Sequence, residues 1–449
     1  MRSPLAGTLQ SLTVRNFRLF AAGQLVSVAG TWMMVVAQDW LVLSLTGDSG
    51  TALGLVTALQ FAPLLLFTLY AGGLADRYDK RRLLMAANLV SGVLALLLGV
   101  MVLTGTAGLW HVCLFALGLG VVNAVEVPTR MSFVSELVGA DLLPNASALS
   151  AAYFNVARVV GPALAGLLIG WFGTATVMLL NAVSYLATVA ALRAMRPAEL
   201  HRSERRPGRA PVMDGVRHMA TRRDLLLPMI LVAVVGMLGF NFQLTLPLLA
   251  KTEFHAEAAA FGLLTTAFAA GSLLAAFVTT RRRGRPAAGV VIGSALAAGV
   301  LQSAAGLAPT YAWAAVLLLC TGFGSLYFAQ AANHRIQLGT DPAYRGRVMA
   351  LYTLVFQGTT PLGALLIGAL SERYGARAGL LAGGGATLLA ALAVLAAHLR
   401  TGRPRTSLIR TSHGGTHHDH PADSDRARPG RFGGGAQGDR PGGPRRLRP

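Results

Sequence analysis

Three charged side chains stand inside long apolar runs of this 449-residue sequence: Asp39, Glu126 and Arg158. A charge surrounded by apolar sequence is costly and is usually retained for function, as a proton carrier, an ion-pair member or a contact to an ionic ligand. Two readings of Asp39 and Arg158 stand side by side. In one, Asp39 is a proton site, and Arg158 modulates it or meets an anionic substrate. In the other, the two form a structural pair that avoids unpaired charge. Amides stand in these and other apolar runs: Gln38, Asn123, Asn155, Asn241, Gln243, Asn333 and Gln357. Asn155 lies three residues before Arg158 and so on its face of a helix. Amides in such runs either contact substrate or join helices. Hydrolase chemistry has no foothold, because no H-E-x-x-H or G-x-S-x-G set is present. Cys113 and Cys320 stand alone in apolar sequence, which argues against a disulfide or a zinc site. No metal and no cofactor is expected.

The elements that position these groups follow from composition. The chain is 53% hydrophobic and 13% charged, with mean hydropathy +0.54. A soluble domain carries roughly 25% charged residues, so a water-facing surface is excluded, and so is a disordered chain. Apolar runs of about 20 residues cross roughly 30 Å of hydrocarbon as helices. Such runs lie near 17–43, 52–74, 83–104, 109–128, 143–171, 175–194, 225–250, 258–280, 287–307, 311–333, 346–370 and 377–398. The fold class is therefore an all-α polytopic membrane protein of twelve transmembrane helices. The first run is too long for a signal-peptide core and reads as the first span.

Connections between spans alternate between short, nearly uncharged links and basic ones. Of the 39 basic residues, this alternation leaves only Lys251, Arg373, Arg377 and the intramembrane Arg158 off one common side. Basic loops are cytoplasmic, which predicts both termini in the cytoplasm. The net charge of +20 is thereby explained by topology, and nucleic acid is not an expected partner. The Pro-interrupted basic stretch 195–224 reads as a cytoplasmic linker between two six-helix halves, 1–194 and 225–399. PALAGLLIG (162–170) recurs as PLGALLIG (361–368), and two such repeats imply a midplane site between halves that rock about it. Residues 400–449 are Arg-, Gly-, Pro- and His-rich, and are expected to be a disordered cytoplasmic tail. Its His413, His417, His418 and His420 read as solvated low-complexity sequence in preference to a metal site.

The segment GGLADRYDKRRLL (72–84) resembles the signature of the major facilitator superfamily, G-x-L-a-D-r-x-G-r-k-x-x-l. Gly72, Leu74, Asp76, Arg77, Lys80, Arg81 and Leu84 match, and Asp79 departs from a Gly. NFR (16–18), WLVLSLT (40–46) and NVARVVGPALAG (155–166) strengthen the likeness to the bacterial drug and siderophore exporters related to the enterobactin exporter. The last of these is similar to the superfamily's antiporter signature, with Ala157 and Ala165 in place of two glycines. The resemblance covers about 15–398. It implies two pseudo-symmetric halves, a cavity lined by spans one, four, seven and ten, and spans one and five as neighbours, so that Asp39 and Arg158 pair. It also implies that Asp76 braces the start of span eleven, with Glu126 pairing to Arg77 or Arg81 in a cytoplasmic gate. Asp76→Asn is expected to weaken cytoplasmic closure. Gly161, Pro162 and Gly166 are expected to bend span five or, more simply, to pack it. The arginine carried within span four by many proton-coupled members is missing from 117–123.

The resulting expectation is a secondary exporter of an amphipathic drug, siderophore or secondary metabolite in the bacterial inner membrane. Its partners are that substrate, protons as coupling ion and the bilayer, and the resemblance implies a monomer. Import or uniport of a metabolite, and a non-transporting sensor on the same fold, are the alternatives.

Overall fold

The computed structural model describes residues 9–201, 212–282, 284–342 and 344–402, without the side chains of 68–76, 212–215, 401 and 402. The tail histidines and the centre of the expected linker lie outside these residues, as do the side chains of Gly72, Leu74 and Asp76. Every regular element among the described residues is helical. In chain order the long elements are α1 Arg15–Thr46, α2 Gly50–Arg77, α3 Lys80–Leu103 and α4 Leu109–Arg193. Then follow α5 Arg223–Glu253, α6 Ala258–Thr280, α7 Ala288–Gly306, α8 Tyr311–Gly339, α9 Arg345–Gly358, α10 Thr360–Tyr374 and α11 Ala376–Gly402.

Ten helical stretches are long and apolar enough to cross a bilayer, with α9 and α10 counted as one. A helix satisfies its own backbone hydrogen bonds, which hydrocarbon demands. The outward faces carry Leu66, Leu97, Phe277 and Leu389, all exposed, as lipid contact requires. Exposed Trp110, Trp171 and Trp313 sit beside the short uncharged connections, where amphipathic rings favour a membrane–water boundary.

The 85-residue α4 would measure about 128 Å if straight, several bilayers long. It folds back at Gly139 (φ 72°) and Gly173 (φ 79°), two left-handed positions that glycine adopts without steric cost. No such break falls at Gly161–Pro162, where dihedrals stay helical. The contacts there are those of a packing seam. A side chain on Gly161 would press on Trp32 Cβ at 2.7 Å, and one on Gly166 on the Ala258 carbonyl at 2.9 Å.

α5 is the irregular element. It begins as α-helix, loosens into a π turn at Val235–Gly239, breaks at Phe240 and ends in a second π turn, Leu249–Glu253. Such turns mark functional helices. Asn241 repairs the break by donating from Nδ2 to the carbonyls of Met237 at 2.7 Å and Leu238 at 3.2 Å. Asp79 caps α3, its carboxylate accepting from Arg82 N–H at 3.0 Å. That gives a local purpose to the residue that departs from the family signature. Residues up to Gly402 form one unit with three apolar clusters. The largest runs through α1, α2, α4, α5 and α6, and a second joins α5, α7, α8, α9 and α11.

Candidate functional site

Two chambers lie inside the bundle and share Trp32, Val35 and Gln243. The larger, about 290 Å³, is the polar chamber, so called for the many hydrogen-bonding side chains set among its apolar walls. Helix α1 brings Gln24, Ser27 and Thr31 to it, α2 brings Gln60, α3 brings Asn88 and Ser91, and α4 brings Asn123, Glu126, Arg130 and Tyr185. Gln243 of α5 and Gln357 of α9 close it. Glu126 Oε1 accepts from Arg130 Nε at 2.9 Å, an i,i+4 pair on one helical face. Thr31 and Tyr185 hydroxyls meet at 3.4 Å. Hydrogen-bonding groups with unused capacity, beside the faces of Trp32 and Phe154, suit a ligand with polar and ring surfaces.

The smaller chamber, about 160 Å³, is aromatic. Phe240, Phe242, Phe261 and Phe268 wall it, with Phe242 and Phe268 ring centroids 4.2 Å apart. The break in α5 is what turns Phe240 and Phe242 toward this space. Asp39 and Arg158 both line it, yet they are not bonded to each other. Asp39 is 1% exposed and neither carboxylate oxygen has a hydrogen-bond partner. Arg158 Nη2 instead donates to Ser272 Oγ at 3.2 Å, and its guanidinium lies 5.8 Å from the Trp32 ring centre. The expected Asp39–Arg158 pair is thus corrected to two separate charges in one chamber. Ser272 can accept from Arg158 because its one hydroxyl proton is turned toward the carbonyls of Phe268 at 3.0 Å and Gly322 at 3.2 Å, either of which can take it.

The gate residues are arranged differently from expectation. Glu126 faces the polar chamber and bonds Arg130, so it is not the partner of Arg81. Arg81 donates to the carbonyls of Leu192 at 2.7 Å and Arg193 at 3.2 Å. Lys80 makes the carboxylate contact, an ion pair with Glu136, and Arg77 is exposed. These bonds tie the connection between α2 and α3 to the ends of two stretches of α4.

Among the amides, Asn123, Gln243 and Gln357 line the polar chamber. Gln38 is buried and donates to Gln60 Oε1 at 3.4 Å. Asn155 returns its amide to the Ala151 carbonyl at 2.8 Å, Asn241 repairs α5, and Asn333 bonds Tyr352. These last three line neither chamber. Sequence reasoning missed Arg130, Trp32, Gln60, Asn88 and Tyr185. Arg130 had a signal, its i+4 spacing from Glu126, but ending the span at 128 assigned it to a loop. Gln60 and Asn88 carried the same signal as the other amides, a polar group in an apolar run, whereas Trp32 and Tyr185 carried none.

The sequence matches a family described as transmembrane secretion effector over residues 6–419. It is 25% identical over 371 residues to a staphyloferrin A transporter of Staphylococcus aureus, across 80% of this chain and 90% of that one. It is 29% identical over 389 residues to the multidrug efflux pump Tap of Mycobacterium tuberculosis, across 81% and 88% respectively. In structure it is similar to a bacterial homologue of the human lysosomal transporter Spinster in an inward-facing, occupied conformation. That match has a TM-score of 0.69 at 15% identity and covers 86% of this chain and 97% of the other. A bacterial homologue of the iron transporter ferroportin, inward-facing, gives 0.68 at 14%, with 85% and 98% covered.

Proposed function

The chain belongs to the transmembrane secretion effector family of the major facilitator superfamily, and from that premise we propose that it exports an amphipathic small molecule by proton-driven alternating access. The observation that carries this reading is the pair of joined chambers around Asp39. One offers amides and an ion pair, the other aromatic walls and a carboxylate with no partner. A polar-and-ring substrate fits across both, and the relatives' names, staphyloferrin A transporter and multidrug efflux pump, agree with that class.

In this reading Asp39 takes up a proton from the outer side as substrate leaves there, and gives it up to the cytoplasm as the next substrate molecule binds. Arg158, held by Ser272 and Trp32, sets the local field without neutralising Asp39. Glu126 and Arg130 form the polar end of the substrate seat. Twelve spans arise by counting the three stretches of α4 separately, and two six-helix halves meet about the chambers. Both termini lie in the cytoplasm, the membrane is the bacterial inner membrane and the unit is a monomer.

The test is accumulation of a panel of amphipathic antibiotics, dyes and siderophores in an efflux-deficient host, with and without an uncoupler. Lower accumulation of some members, abolished by the uncoupler, is expected. Equal accumulation of every compound with and without the protein would leave the export reading without support.

A further inference from the structure

We propose that Glu372 is the positioning residue that holds one end of the bundle shut, by capping the start of α2 from the far end of α10. The proposal rests on the transport reading for its purpose, but its geometry is independent of any substrate. The first N–H groups of a helix lack intrahelical partners and present partial positive charge. At α2 these groups are met by a carboxylate more than 300 positions away. Glu372 Oε2 accepts from the Ser49 hydroxyl at 2.9 Å and from the Thr51 N–H at 3.2 Å.

Below this clamp the two helices touch backbone to backbone. A side chain on Gly54 would reach the Ala364 carbonyl at 2.5 Å, and one on Gly368 the Gly50 carbonyl at 2.6 Å. Small residues allow this approach, and buried Leu53 and Val56 of α2 share an apolar cluster with Ile367 of α10. The seam itself is apolar and without direction, so the carboxylate at its end supplies the polar contact that fixes the two helix ends together.

Two ion pairs flank the clamp. Asp48 meets Lys251 at 2.6 Å, and Glu253 meets Arg377 at 2.8 Å. Lys251 and Glu253 both belong to the terminal π turn of α5, and Lys251 also lies 5.3 Å from the Trp40 ring centre. The turns on either side hold a non-glycine residue in the left-handed region, Asp48 (φ 68°) and His255 (φ 47°). Such backbone persists where surrounding contacts impose it. Glu372 therefore joins α10 to α2 while the ion pairs bring in α5 and α11, and all four elements close one mouth.

The test uses the full-length chain in membranes, with Cys113 and Cys320 replaced by alanine and a reporter at Thr265→Cys in the aromatic chamber. A membrane-impermeant maleimide is added on the side of Ser49. The expected result is labelling several-fold faster in Glu372→Gln, with Glu372→Asp, which keeps the charge, near the unmodified rate. A second arm joins Ser49→Cys to Glu372→Cys with a short bis-thiosulfonate, in a chain without Thr265→Cys. Transport should stop and return on reduction. A Gln variant that folds but labels at the unmodified rate would overturn the proposal. So would a cross-linked protein that still transports. If no protein transports any compound but Glu372→Gln still speeds labelling, the clamp stands and the export reading fails.

Discussion

Asp39 and Glu126 are both acidic and both line the cavity, yet their surroundings assign them different work. Asp39 has no hydrogen-bond partner, so its substitution removes the proposed proton carrier without orphaning another charge. Asp39→Asn is expected to fold normally and to make efflux insensitive to an uncoupler, read by accumulation. Glu126 has Arg130, and the two side chains are 16% and 18% exposed. Glu126→Gln leaves the guanidinium unpaired, at a cost on the order of 3 kcal/mol, whereas replacing both with Gln costs less. Thermal unfolding in detergent of the two singles and the double variant measures this, and equal losses in all three would contradict it. Trp32 is the partition between chambers, and Trp32→Ala should admit bulkier substrates, seen as a shift in the size range of exported compounds. At this scale the sequence was informative about charges and silent about pairing. Asp39 and Arg158 were legible because a charge in an apolar run stands out. That they do not bond was not, since Ser272 and Trp32 reach Arg158 from elsewhere in the chain.

The helices were legible for the same reason that membrane helices generally are: hydrocarbon leaves the backbone no other arrangement. The span limits read from hydropathy fall within a few residues of most helix ends, apart from the ends near 128 and 333, where the helix runs on. The irregularities were less accessible. The run 225–250 reads as one uniform span, but α5 contains two π turns and a break. What permits them is tertiary. Gly363 of α10 lies so close to the Met237 carbonyl that a side chain there would collide with it. Gly363→Val is therefore expected to push α10 off the π turn and to abolish transport before it abolishes expression, checked by efflux against membrane yield. Asn241→Leu removes the donor that covers the Met237 and Leu238 carbonyls. A loss of about 1–3 kcal/mol follows from leaving such groups unsatisfied, again readable by thermal unfolding. The repeated PALAGLLIG and PLGALLIG segments were visible in the sequence. The structure places Gly166 and Gly368 of these repeats at two tight seams, with α6 and α2.

For the molecule as a whole, the sequence sorted the basic residues by side and the structure sorts the apolar ones by contact. Exposed Leu and Phe cover the flanks, while buried polar atoms without a partner, those of Asp39 and Gln243 among them, lie beside the apolar clusters of the interior. The apolar surface sets the molecule apart from a soluble protein. Arg130 shows the limit of sorting by loops, since it counts toward the basic side in sequence and lines the polar chamber in structure. Under the proposed mechanism, passage of a substrate through the chambers is tied to a proton on Asp39. The direct measurement is on purified protein in liposomes loaded with a fluorescent amphipathic substrate identified by the accumulation panel, with a pH step imposed across the membrane. Substrate movement against the proton flux is expected in the unmodified protein. For Asp39→Asn the expected result is substrate exchange without any response to the pH step. A response of equal size in both proteins would contradict it.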